Sequence, residues 1–164
     1  MSEQIPVMLK HKPVIVSPNY GEIDGRFATA TDVKGLSVGL AQWNDRGRVD
    51  ASAKVWRHTG GKWSRQSEEL PIHRVLDLAI FTIRSLSYMR EAYHLYDKEK
   101  PAIDRVGLQG GAMTLELCTD NMNLDEDIQL LTAALAKDDE LIGERLSVLA
   151  GLLEGMGYGK REKA

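Results

Sequence analysis

Glu69, His73 and Asp77 recur at intervals of four residues. On a single helix, that spacing brings a carboxylate, an imidazole and a second carboxylate to one face. Such a set could hold a divalent metal or orient a histidine for acid–base chemistry, with His58 as a further ligand. This is the hydrolase reading of the chain. Against it, charged and polar residues four apart are common on solvated helices. Pro71 also suits the first turn of a helix, which would leave Glu69 just outside.

A different chemistry is offered by "KVWRHTGGKWSRQSEELPIHR", residues 54–74, which carries two of the three tryptophans. Gly60–Gly61 is a two-residue hairpin signal. It predicts His58 opposite Trp63 and Trp56 opposite Arg65. By strand alternation Trp43, Lys54, Trp56, His58, Trp63 and Arg65 then leave the sheet on one side. Flat rings beside cations suit stacking on a base, a sugar or a protein side chain. The competing expectation is that the same side is interior or subunit interface, where large aromatics usually belong. The leading expectation is a non-catalytic module that binds a partner or ligand through this side and the loop before it. The hydrolase is the alternative, and local single-stranded nucleic-acid binding is third. No cofactor is implied.

These residues need elements to carry them. Leu36, Val38 and Leu40 alternate with small residues, as do Val49, Ala51, Ala53 and Val55 with polar ones. A four-residue loop, Asn44 to Gly47, sets Leu40 against Ala51, Val38 against Ala53 and Leu36 against Val55. A slip by one residue would mix apolar and polar partners. The aliphatic side predicts a cover, and the helix starting at Pro71 is the candidate. Ile72, Val75, Leu76, Ala79, Ile80, Ile83 and Leu86 recur on it at helical spacing, and it should reach about Tyr96.

"PVIVS" at 13–17 reads as an edge strand, and 17–35 as a long irregular loop. A second "GG" hairpin sets Leu108 against Met113 and Val106 against Leu115. Leu124, Ile128, Leu131 and Leu135 mark a helix, and another begins at Asp138–Asp139. The alternating Asn121, Asn123, Asp125 and Asp127 fit a helix start better than a calcium loop, which needs a central glycine and a distal glutamate. The fold expected is α+β, an antiparallel sheet of five to six strands with one long helix packed on it and a C-terminal helical pair. One domain, 1–164, is expected, with 158–164 a frayed tail.

Composition narrows the setting. A formal net charge of −3 disfavours a general nucleic-acid binder. Charge is uneven: residues 43–74 hold seven basic side chains against four acidic, and residues 120–157 hold two against nine. That asymmetry, with the helical leucines, suggests a homodimer. Cys118 is the only cysteine, which excludes an internal disulfide, and its apolar surroundings predict a buried thiol. The first residues lack a long apolar run after a basic start, so no signal peptide, no membrane and a cytoplasmic home are expected.

Overall fold

The computed structural model describes residues 4–24, 27–47, 49–64, 67–92 and 104–159. The chain divides into two compact units, Met1–Ser87 and Tyr88–Ala164. The class is α+β, as expected, and each unit is described by itself.

In the first unit, β1 (Lys12–Ser17), β2 (Val33–Leu40), β3 (Ala51–Thr59) and β4 (Lys62–Trp63) follow one another in an antiparallel sheet. β5 (Glu69–Pro71) pairs with β3 as the fifth strand. The long stretch before β2 holds one short helix, α1 (Tyr20–Ile23). α2 (Ile72–Ala92) follows β5 without a connector.

The register is the one the alternation predicts: Leu40 faces Ala51, Val38 faces Ala53 and Leu36 faces Val55. Gly60 and Gly61 both take positive φ, 60° and 79°, which a tight hairpin between right-twisted strands requires. His58 accordingly faces Trp63.

The side of the sheet that is buried differs from expectation. Val38 and Leu40 remain 41% and 43% exposed, so the aliphatic row does not form a sealed core. Burial follows the other row, Gly35, Ser37, Gly39 and Ala41 on β2 with Ser52, Lys54 and Trp56 on β3. The physical reason is the size of the β2 row. A Cβ on Gly39 would lie 2.0 Å from the Lys12 carbonyl oxygen, and one on Gly35 would lie 2.7 Å from Ile5 Cδ1. Only a row of small residues lets the N-terminal segment pass this close. Ile5 and His11 are thereby buried against that side, and Trp56 supplies the bulk that the small residues lack.

In the second unit, β6 (Asp104–Leu108) and β7 (Gly111–Leu115) form a hairpin. Its register pairs Leu108 with Gly111 and Val106 with Met113, two residues from the expected pairing. The turn is therefore Gln109–Gly110 rather than Gly110–Gly111. Because the shift is even, each side chain keeps its face. β7 stops at Leu115, so the alternation expected to bury Cys118 ends before it, and Cys118 is exposed.

α3 (Leu124–Lys137) and α4 (Asp139–Gly155) form the C-terminal helical pair. Asp125, Glu126 and Asp127 occupy the first turn of α3, where the helix dipole favours acids. α4 ends in a glycine cap. Gly157 has φ 87°, and the Tyr158 amide donates to the Leu153 carbonyl at 2.9 Å. Among the described residues, no helix is long and apolar enough to cross a membrane.

Candidate functional site

The buried side of the first sheet carries a polar network. Ser37 and Lys54 are register partners on β2 and β3, and Ser52 lies one step further along β3. Glu69 on β5 pairs with Lys54, and His11 reaches in from the segment before β1. His11 Nδ1 is 2.9 Å from Glu69 Oε1 and 3.1 Å from Ser52 Oγ, and its Nε2 is 3.0 Å from Ser37 Oγ. Trp56 Nε1–H donates to Ser37 Oγ at 2.8 Å, and Ser52 Oγ–H donates to Glu69 Oε1 at 2.7 Å.

These bonds assign the protons. Ser37 Oγ accepts from Trp56, and its own hydrogen has one acceptor among the described residues, His11 Nε2. His11 then carries its proton on Nδ1 and donates it towards Glu69. A proton on Nε2 as well would leave the Ser37 hydroxyl hydrogen with no acceptor, which is costly in a buried site.

Glu69 Oε1 takes a third donor, the Gln42 amide, at 2.9 Å. Burial by itself would raise this carboxyl. The bonds from Ser52, Gln42 and His11 outweigh that and hold it below the ordinary carboxylate range. Glu69 Oε2 is buried without a hydrogen bond, and the nearest cation is Lys54 Nζ at 3.9 Å. That ammonium also sits 5.1 Å from the centroid of the Trp56 ring. The ring packs edge-on against His11 and Trp63.

The order Ser37, His11, Glu69 is that of a hydroxyl–imidazole–carboxylate relay. Its surroundings suit cross-bracing rather than catalysis. His11 is 1% and Ser37 4% exposed, which leaves a carbonyl no approach. The Ser37 oxygen already accepts the indole N–H. The relay ties the N-terminal segment, β2, β3 and β5 together.

The residues singled out in the sequence fall into three groups. Lys54 and Trp56 are interior, with Trp63 and His58 half-buried beside them and their rings 5.1 Å apart. Trp43 is half-buried elsewhere: it follows β2, donates to Asp50 at 2.8 Å and touches none of the other tryptophan rings. Arg65 lies outside the described residues. Glu69 is on β5, whereas His73 and Asp77 are on α2, His73 exposed and Asp77 half-buried. The three do not form one helix face, and Glu69 engages His11 instead. Among the described residues, no group of three His, Cys, Asp or Glu side chains is placed to hold a metal ion.

The open concavity of this unit lies where the long loop meets β3. A pocket of about 300 Å³ is lined by Asp24, Phe27, Ala30, Thr31, Val33 and Arg57. Arg57 is fixed from two sides. Its Nε and Nη2 bind Glu68 at 2.7–3.2 Å, and its Nη1 binds Asp32 at 2.5 Å. The Glu68 bonds raise the guanidinium pKa still further and lower that of the Glu68 carboxyl. The Tyr20 hydroxyl donates to Asp24 Oδ1 at 3.1 Å.

Sequence reasoning missed Ser37, Ser52, His11 and the loop residues of this pocket. Ser37 and Ser52 were legible, because the strand register sets them on the side of Lys54 and Trp56. His11 had no signal, being a single histidine before an edge strand.

A model of a family of unknown function (DUF6530) matches residues 3–158, and the chain belongs to that family. No curated protein and no solved structure matches it significantly.

Proposed function

We propose that this member of a family of unknown function is a non-catalytic ligand-binding module, cytoplasmic and dimeric. Its tryptophan hairpins act as the frame, and the pocket between the Asp24–Val33 loop and Arg57 is where the ligand sits. The observation that carries this reading is the contrast between two polar sites. The Ser37–His11–Glu69 network is closed and internally satisfied apart from Glu69 Oε2, whereas the pocket beside Arg57 is open and about 300 Å³ in volume. That is the lower end of the range for small-molecule sites.

The test is a fragment screen read by amide chemical-shift mapping. Fragments should cluster their shifts at Ala30, Thr31 and Val33. Ala30→Trp fills the pocket from an exposed position, and it should abolish those shifts without lowering the melting temperature. Hits that scatter over the surface, or persist in Ala30→Trp, would rule the pocket out.

Dimerisation is supported by apolar surface on the helical pair. Leu130 and Leu131 on α3 are 61% and 48% exposed, and Val148 and Leu152 on α4 are 58% and 62% exposed. Patches of this kind on soluble proteins mark interaction sites. Sedimentation at micromolar concentration should give twice the chain mass, and Leu152→Glu should halve it. A single species of chain mass across that range would remove the dimer.

A further inference from the structure

The pocket beside Arg57 also constrains what it can hold, and the inference rests on the binding reading above. We propose that its ligand is a small planar heteroaromatic ring bearing N–H donors on one edge, of the aminated purine or benzimidazole kind. Three features of the site lead there.

Arg57 presents a face rather than an edge. The usual partners of a guanidinium edge are carboxylate and phosphate. Here Nε, Nη1 and Nη2 are already bonded to the protein carboxylates of Glu68 and Asp32. An anionic ligand would compete with two tethered acids for a cation they already neutralise. The bonds also hold the guanidinium flat, and a flat guanidinium stacks on an aromatic ring.

The acceptor in the pocket is Asp24. Its Oδ1 takes the Tyr20 hydroxyl, and Oδ2 takes no hydrogen bond from any described residue. A carboxylate at a pocket wall selects N–H donors, and a half-buried one does so more strongly than in open water. The remaining walls, Phe27, Ala30, Thr31 and Val33, are largely apolar and carry no opposing charge. Stacking face, acceptor edge and apolar walls together fit a ring that is flat, largely uncharged and aminated on one side.

Aminobenzimidazole is the probe, and cyclohexylguanidine, with the same donors and no flat ring, is the control. Aminobenzimidazole should shift the amides of Ala30, Thr31 and Val33 and saturate. Asp24→Asn should weaken it at least about tenfold, the loss of a charged hydrogen bond. Arg57→Lys should weaken it about two- to fivefold, the loss of a stacking face. Cyclohexylguanidine should bind no better than aminobenzimidazole does to Arg57→Lys. If other fragments map to the pocket and aminobenzimidazole does not, or if Asp24→Asn binds it equally well, the ligand class is wrong while the binding module stands. If no fragment maps there, the module reading itself fails.

Discussion

Trp56→Ala is expected to cost about 3–5 kcal/mol of stability, the range for removing a large aromatic from a core. Trp56 is fully buried, and it has the largest of the fully buried side chains. Its removal takes away the edge-on contacts to His11 and Trp63 and the bulk that faces the small β2 row. It also leaves Ser37 without its indole donor and Lys54 without the ring beneath its ammonium. Domains of ordinary stability have about 5–15 kcal/mol in total, so the variant should be largely unfolded at moderate urea. Trp56→Phe separates the two contributions. It keeps most of the ring volume and removes only the N–H, so it should cost about 1–3 kcal/mol. Trp43→Ala, half-buried with one bond to Asp50, should fall well below Trp56→Ala. Urea melts of the three variants decide the matter. If Trp56→Ala melts within a degree or two of the parent, the ring is not core, and the tryptophan side becomes a binding surface again.

The tryptophan side shows what strand patterning can and cannot reveal. Alternation of Leu36, Val38 and Leu40 against Ala51, Ala53 and Val55 fixes the register, because only one parity keeps apolar partners together. It does not fix which side is interior. Hydrophobicity favours the aliphatic row, yet the interior is the row of Gly35, Ser37, Gly39 and Trp56. What decides the matter is a segment some thirty residues earlier, which needs small neighbours in order to lie close. No window along β2 or β3 contains that information. The two glycine pairs make the same point on a smaller scale. Gly60–Gly61 forms the turn itself, whereas at Gly110–Gly111 the second glycine joins the ladder and Gln109 enters the turn. The pocket was least legible, because its walls come from an irregular loop with no period and from Arg57, whose role depends on Asp32 and Glu68 arriving from two other places.

Glu69 is the second position where a single change should be severe. Four groups depend on its carboxylate: the His11 imidazole, the Ser52 hydroxyl, the Gln42 amide and the Lys54 ammonium. Glu69→Ala leaves all four without it, and breaking a buried ion pair from one side costs about 3–5 kcal/mol. Glu69→Gln keeps the shape and one acceptor oxygen but removes the charge facing Lys54. Adding Lys54→Met to Glu69→Gln should recover part of the loss, because the surviving buried cation is what the first change exposes. A double variant no better than the sum of the singles would mean the 3.9 Å pair carries no coupling. The same carboxylate sets a pH dependence. Its folded pKa lies below the unfolded value, which is about 4.3. The unfolded chain therefore binds the proton more readily, and stability rises with pH in this window. The Glu69 contribution is complete above the unfolded value and is lost as pH falls through the lower folded one. Glu68 shares the direction through its bonds to Arg57, but it is exposed and contributes less. Urea melts from neutral pH down to about pH 3 should show the parent losing stability steeply on the acid side. Glu69→Gln should start lower and fall less, keeping only the shallower slope from Glu68. Parallel curves for the two proteins would mean that Glu69 titrates alike in the folded and unfolded chains, and the network around His11 would then not be the brace described.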